Sequence, residues 1–435
     1  MTRKMKDSGV EWIGEIPEEW EVVKLKHLVL DRQAGVWGKD ESQDNLTNNK
    51  ICIRIADFDY PRMTIRKDRE FTLRNYTDNE ISKYSLKKGD ILIEKSGGGE
   101  KTPVGRTIIW NEDFQALYAN FIERLRVDKK QILPMFAQYC FYTFYGMGGS
   151  NLYFNQTTGI QNLDVTRFLN DYKLSIPKLN YQIKIIEILD KKTKQIEEIK
   201  NTISNEIENL ENYKKSVITE AVTKGLDKNV EMKDSGIEWI GEILKHWSVK
   251  QLKYVMNNLN YQRVPVDASK RNNTSENLYD YYGATGVIDK IDGYTTVGSN
   301  ILIGEDGANL IFRNLPLIYI AEGKYWVNNH AHILHPKDGN LDFFAYQMEI
   351  IDYRNYITGA AQPKLNLENL KKVKLVCPTQ KDQNEIANYL NKKTKLIDES
   401  IAIKQKQLEI LEEYKKSLIY EYVTGKKEVK DGEES

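Results

Sequence analysis

The chain writes the same frame twice. Met5 to Ile16 reads MKDSGVEWIGEI and Met232 to Ile243 reads MKDSGIEWIGEI, eleven of twelve residues identical at an offset of 227. Pro177 to Thr223 aligns without a gap on Pro378 to Thr424 at an offset of 201, and both copies carry KKTK and YKKS. The order is therefore leader, variable block, helix, leader, variable block, helix. The second block is 26 residues shorter, the difference between the two offsets. A repeated frame around divergent blocks constrains the fold to two related halves that present different surfaces.

The long repeats read as helices. From Tyr181 to Val222 no proline or glycine interrupts the chain, and Leu189, Ile196, Ile203, Leu210 and Val217 recur at a strict seven-residue spacing. Ile185, Ile199, Ile207, Tyr213 and Ile218 widen the stripe. The second copy offers Leu390, Ile397, Leu411 and Leu418, with Ile401 and Leu408 nearby, while Lys404 breaks its seam at the position of Ile203. This is a coiled-coil pattern. Pro177 and Pro378 mark the starts, and Gly225 and Gly425 the ends. A helix of this length spans roughly 60–65 Å at about 1.5 Å per residue. Its one-sided stripe needs cover, and the simplest partner is the other copy, antiparallel. Pairing between chains is the alternative.

Each variable block mixes strands and helices. Ile51–Ile55, Gly89–Ile93, Asn300–Ile303 and Leu317–Ile320 read as strands, and Pro134–Tyr145 and Leu341–Ile351 as helices. Ile91-Leu92-Ile93 runs into a glycine-bearing loop and then Arg106. Ile301-Leu302-Ile303 does the same before Arg313. Thr158-Gly159 with Gln161 matches Thr358-Gly359 with Gln362. The blocks are diverged copies of one α/β fold. The expected boundaries are 1–176 for the first block with its leader and 177–226 for the first helix. The second block with its leader takes 227–377, the second helix 378–426 and a charged tail 427–435.

Composition adds modest bounds. Lys+Arg and Asp+Glu both number 63, which argues against a diffuse polycation but leaves room for local basic patches. Cys52, Cys140 and Cys377 lack metal-ligand spacing and suit buried positions in a reducing compartment. No apolar run approaches membrane-spanning length and no signal peptide precedes MTRKMKDSGVEW, so a cytoplasmic protein without a membrane is expected.

Candidate binding residues follow from charge and turn chemistry. Arg62, Arg66, Lys67, Arg69 and Arg74, interleaved with Tyr60, Phe71 and Tyr76, suit a phosphate track with groups for base edges. Asp59, Asp68 and Glu70 support a solvated face instead. Lys83, Lys87 and Lys88 form a weaker patch. The Ser96–Gly99 loop, with Gly97 and Gly98, lets backbone N–H groups approach phosphate, or is a strand-to-strand turn. It is no P-loop, since Arg106 stands where Lys is required. In the second block, QRVPVDASKRNN (262–273) carries Arg263, Lys270 and Arg271, a composition compatible with base readout. His330 and His332 share a strand face, a weak metal pattern beside a hydrogen-bonded strand. Trp12, Trp20, Trp239 and Trp247 recur in the leaders and read as packing anchors rather than stacking platforms.

These features together resemble one family, the specificity (S) subunits of Type I restriction–modification systems. The leader DSGVEWIGEIPEEWEVVKLK (Asp7 to Lys26), its echo DSGIEWIGEILKHWSVKQLK (Asp234 to Lys253) and the helix ends YKKSVITEAVTKG and YKKSLIYEYVTGK carry the resemblance. So do ILIGEDGANL, NNHAHIL and Gly359-Ala360-Ala361-Gln362 running into VCPTQKDQNEI. The resemblance covers essentially the whole chain. It implies two pseudo-symmetric α/β target-recognition domains joined by two long antiparallel helices forming a coiled coil. Each domain would read one half of a bipartite site in double-stranded DNA. The helices would separate the halves and dock two methyltransferase (M) subunits, and restriction/translocase (R) subunits would complete the complex. S-adenosylmethionine, ATP and Mg would then belong to the partners, with no cofactor on this chain. The chain lacks an Asn-Pro-Pro-Tyr type methylation motif and a Walker motif, so binding rather than catalysis is expected. A stand-alone methyltransferase or nuclease, and a coiled-coil scaffold without a nucleic-acid role, are the alternatives.

Overall fold

A computed structural model describes residues 3–157, 159–227, 229–237, 240–271, 277–359 and 362–429. Thr158, Trp239, Asn272, Asn273, Ala360, Ala361 and the end of the charged tail, 430–435, lie outside the described residues. The chain forms two compact units. One comprises Met1–Thr202 with Gln407–Ser435, the other Ile203–Lys406. Each long helix is thus divided between them. Among the described residues no helix is long and apolar enough to cross a membrane.

In the first unit, an antiparallel sheet runs in the order Thr107–Trp110, Asp90–Glu94, Ile122–Val127, Val29–Ala34. A smaller sheet sets Ala116–Tyr118 parallel to Asn49–Ile53 and Thr72–Asn75 antiparallel to it. Between those last two strands lies a hairpin, Phe58–Asp59 with Thr64–Ile65, turned through Pro61. The helix Pro134–Gly146 backs the larger sheet. The second unit repeats the plan. Met256–Asn258, Ala331–Pro336, Asn300–Gly304 and Ile318–Ala321 form its antiparallel sheet in that order. Leu278–Gly283 and Lys324–Val327 make the parallel pair of its companion sheet. Leu341–Ile350 is its backing helix.

The leaders close each block onto a helix. Glu21–Lys24 pairs with Lys173–Ile176, and Ser248–Gln251 with Lys374–Cys377. Trp20 and Trp247 are buried, so they are packing anchors, and Trp12 stacks on Tyr172. Gly425 ends the second long helix at φ 72°, and a Cβ there would lie 2.4 Å from Cδ of Pro17 in the first leader. Gly225 ends the first helix at φ 70° against Leu244 of the second leader. Only glycine combines that backbone with so close an approach.

The long helices run Leu179–Lys224 and Gln380–Val423. In the first unit Lys415 meets Glu197 at 2.8 Å and Lys200 meets Glu412 at 2.6 Å. In the second, Lys404 meets Glu206 at 2.6 Å and Lys214 meets Asp398 at 2.7 Å. Numbers rise on one helix as they fall on the other, so the segments pair antiparallel in each unit. The break at Lys404 is met by an ion pair. One flank of the expected stripe differs: Ile199 and Tyr213 are exposed. The seam takes the positions four residues after each heptad residue, Thr193, Lys200, the expected Ile207, Lys214 and Ala221, all buried or half-buried. A two-helix seam is narrow, and the partner's carboxylates select the lysine flank over the isoleucine flank.

Burial separates these pairs energetically. Lys415 is 1 % exposed, whereas Lys214 and Asp398 are 31 % and 54 % exposed. Burial raises the Glu197 pKa, but Lys415 and Lys200 outweigh it and hold the carboxyl below its usual range. We expect Glu197→Ala to cost roughly 3–5 kcal/mol by stranding a buried ammonium. Asp398→Ala should cost at most about 1 kcal/mol. Urea denaturation at neutral pH measures both.

Candidate nucleic-acid interface

The basic cluster of the first block divides in space. Arg62 lies on the hairpin, donating to Asp59 at 2.8 Å and to Asn201 of the first long helix at 3.4 Å. Arg66 makes a two-pronged pair with Asp68 at 2.7 and 3.1 Å, and Lys67 meets Glu112 at 2.9 Å. Arg66 holds the Asp68 carboxyl down at about 2. Arg69 is exposed beside them. Arg62, Arg66 and Lys67 line a groove of about 710 Å³ with Phe58, Pro61 and Ile65. Arg74 belongs to a different surface: it points across the small sheet to Asp40 and lies 4.6 Å over the half-exposed Trp37 ring. The interleaved aromatics do structural service. Tyr60 stacks on Tyr142 at 5.0 Å, Phe71 meets Phe114 and Tyr76 is buried. Lys88 pairs with Asp113.

The glycine loop is tied to the chain itself. Ser96–Gly97 pairs with Ile160–Leu163, and Ser96 Oγ donates to Asn162. Gln161 Oε1 accepts from Val104 N at 3.0 Å, and Gly99 N donates to Thr102 O. A Cβ at Gly98 would lie 2.6 Å from Val104 N. The close approach these glycines permit is thus to their own backbone. Arg106 grips the buried Glu94 with two bonds of 2.8 and 3.1 Å, and that bonding raises its pKa.

In the second block Arg263 donates to Glu305 and to the carbonyls of Asn329 and Ala331. Arg271 pairs with Asp289 at 2.9 Å and covers the Tyr281 ring at 4.4 Å. Lys270 is exposed, 3.7 Å from Asp267. Arg313 adopts φ 54° and donates to the carbonyls of Glu349 and Ile351, closing the end of the backing helix. The two histidines separate. His330 is exposed and lies 2.7 Å from Asp306. His332 is buried, with Nε2 against the Leu365 carbonyl and Nδ1 against the Asn260 amide, both 2.8 Å. Burial depresses its pKa despite the Leu365 carbonyl and Glu305. Among the described residues no cluster of three His, Cys, Asp or Glu side chains is arranged for a metal.

A shared position emerges that single-sequence reading missed. Lys95 N donates to Phe121 O, and Leu163 N donates to Lys95 O. In the second unit Glu305 N donates to His330 O, and Leu365 N donates to Glu305 O. Lys95 and Glu305 are thus equivalent, as are Phe121 and His330, both exposed at the turn before a central strand. Lys364 joins Glu305 at 3.2 Å, and the exposed Tyr261 precedes Arg263 by two residues. One backbone frame presents lysine and phenylalanine in one unit, glutamate and histidine in the other.

The sequence profile described as Type I restriction modification DNA specificity domain matches residues 17–209 and 244–413, most of the chain. The chain belongs to that family. A putative type I restriction enzyme specificity subunit, MjaX, from Methanocaldococcus jannaschii is 26 % identical over 430 residues, covering 96 % of both chains. A putative type I specificity subunit of Haemophilus influenzae is 31 % identical over 169 residues, 39 % of this chain and 40 % of that relative. A solved chain from work on complex assembly and conformational transition of the type I R-M system superposes with TM-score 0.67 at 11 % identity, covering 94 % of this chain and 98 % of that one. That likeness shows the fold: α/β halves on long antiparallel helices.

Exposure separates the arginines experimentally. Arg106→Ala should cost roughly 3–5 kcal/mol of stability by stranding Glu94. Arg69→Ala should change stability by no more than about 0.5 kcal/mol. If Arg69 meets a phosphate, its loss lowers the salt slope of DNA binding by about 1 across all sequences. Thermal melts and salt titrations of binding check both.

Proposed function

We propose that this chain is the sequence-specific DNA-binding subunit of a type I restriction–modification complex. Each α/β block reads one half of a bipartite site, and the long helices set the spacer and dock two methyltransferase subunits. The observation that carries this reading is one α/β frame built twice, with different side chains at equivalent positions, Phe121 and His330 exposed among them. Membership of the specificity family supports it, and the name borne by the relatives agrees. Catalysis lies with partners: S-adenosylmethionine on the methyltransferase subunits, ATP and Mg on the restriction/translocase subunits. The DNA-facing candidates are Arg62, Arg66, Lys67 and Arg69 in the first block, and Arg263, Lys270 and Arg271 in the second. Around them stand the equivalent pairs Lys95/Glu305 and Phe121/His330. A protein acting on DNA with these partners works in the cytoplasm.

Exchanging residues 26–174 for the first block of another specificity subunit should change one half of the methylated motif and leave the other intact, as read by genome-wide mapping of methyladenine. A change in both halves, or in neither, contradicts modular reading. Inserting four residues after Asn201 adds about one helical turn, near 6 Å, and falls out of step with the heptad. The methylated motif should then gain spacer length or activity should vanish, and insertion after the aligned Ala402 should act alike. An unaltered spacer at full activity rejects the helices as the ruler.

A further inference from the structure

Much of the shortening of the second block falls on one connection. In the first unit, residues 54–71 separate the strands Asn49–Ile53 and Thr72–Asn75 and carry the hairpin. In the second, Leu278–Gly283 turns into Gly286–Asp292 through Ala284 and Thr285 alone. The hairpin covers three groups in the first unit. Tyr60 stacks on Tyr142. Met63 O accepts from Ile109 N at 3.0 Å on the edge strand of the larger sheet. Pro61 O accepts from Lys415 Nζ, beside the pair with Glu197. Two carbonyls of one turn, two residues apart, thus reach two neighbours, one a strand edge and one a seam lysine.

Two of the three covered groups have counterparts. The offset of 201 sets Lys214 where Lys415 is and Asp398 where Glu197 is. The ladders set Ile320 against Ile301 as Ile109 is set against Ile91. The same strand register turns the Ile320 N–H to the outer edge. The lysine–carboxylate pair is retained, with Lys214 at 2.7 Å from both oxygens of Asp398. The cover is gone: Ile320 is 37 % exposed where Ile109 is 5 %. Lys214, Ile320, Leu315, Ile218, Ala345 and Tyr346 line a groove of about 610 Å³.

We propose that this groove receives a tight turn of a methyltransferase subunit. Two of its carbonyls, two residues apart, bond the Lys214 ammonium and the Ile320 N–H, and an apolar side chain covers Leu315 and Ile320. The occupant reproduces what the Tyr60–Met63 turn does in the first unit, with one main-chain bond to an open sheet edge. Nucleic acid is disfavoured, because Leu315 and Ile320 give the groove an exposed apolar face and its carboxylates, Glu211, Asp342, Glu349 and Asp398, outnumber Lys214, Lys215 and Arg313. A second copy is disfavoured, because its matching hairpin is already engaged within its own first unit. The proposal rests on the reading that the chain docks methyltransferase subunits.

The test uses the full chain with purified methyltransferase subunits of the same system, followed by native mass spectrometry and sedimentation. Leu315→Asp with Ile320→Asp should weaken uptake of a methyltransferase subunit at least tenfold. Melting temperature and DNA binding by the chain alone should stay unchanged, and Ile288→Asp, on another exposed strand, should be silent. Uptake unchanged in the double variant overturns the socket alone. A wild-type chain that takes up no methyltransferase subunit overturns the docking reading beneath it. Self-association of the wild type that the double variant abolishes assigns the groove to a second copy and also overturns the proposal. If the double variant fails to fold, a photo-crosslinker at Leu315 in the otherwise native chain decides: a crosslink to the methyltransferase subunit is expected, and its absence overturns the socket.

Discussion

The antiparallel seam between the two long helices is the constraint on which the rest depends. The first unit's core takes Ile185, Leu189 and Ile196 from the first helix and Leu418, Ile419 and Tyr422 from the second. The second unit's core takes Val217, Ile218 and Val222 from the first helix and Ile386 and Leu390 from the second. The first unit therefore cannot close its core until residues past 407 have been made. Loop closure over such distances is entropically tolerable, since its cost grows only with the logarithm of length. The glycines that end the helices complete the arrangement, because each lets a leader press against the helix end where a Cβ would collide.

Polar seam positions give this pairing its register. A purely apolar stripe permits sliding by a heptad. Lys200, Lys214, Lys404 and Lys415 each find a carboxylate on the opposite helix in the register seen here. The exposed pairs contribute little energy, whereas parting Lys415 from Glu197 would strand a buried ammonium. Register is thus favoured by the set of pairs together, and Pro61, bonded to Lys415, ties the first block to the seam.

The long helices, the paired leaders and the strand–helix alternation were legible in the sequence because each rests on periodicity or on repetition. What was not legible rests on partners distant in the chain. The seven-residue spacing located Leu189 and Ile196, but only the opposite helix decides between Ile199 and Lys200 as their seam companion. Arg62 and Arg74 are twelve residues apart and read as one patch, yet the turn at Tyr60–Met63 and the intervening strand send them to different surfaces. The Ser96–Gly99 loop has the composition of an anion cradle, but Gln161 arrives from a distant hairpin to bond Val104. The equivalence of Phe121 with His330 has no signature at all in the side chains, since it is written in backbone bonds.

That last point explains how one frame can carry two different surfaces. Lys95 and Glu305 are each held by two main-chain hydrogen bonds to equivalent neighbours, so their placement owes nothing to their own side chains. Exchanging lysine for glutamate there reverses a charge without moving the strand, because the obligatory backbone groups stay paired. The surrounding side chains then adjust locally: Glu305 gathers Arg263 and Lys364 about it, while Ser96 beside Lys95 turns to Asn162. The groups that fix the fold, such as Arg106 on Glu94 or Arg313 on the backing-helix carbonyls, stand apart from these exchangeable positions. Backbone bonds therefore hold the position whatever the side chain, and where the side chain is a buried charge, as Glu305 is, partners such as Arg263 and Lys364 accompany it.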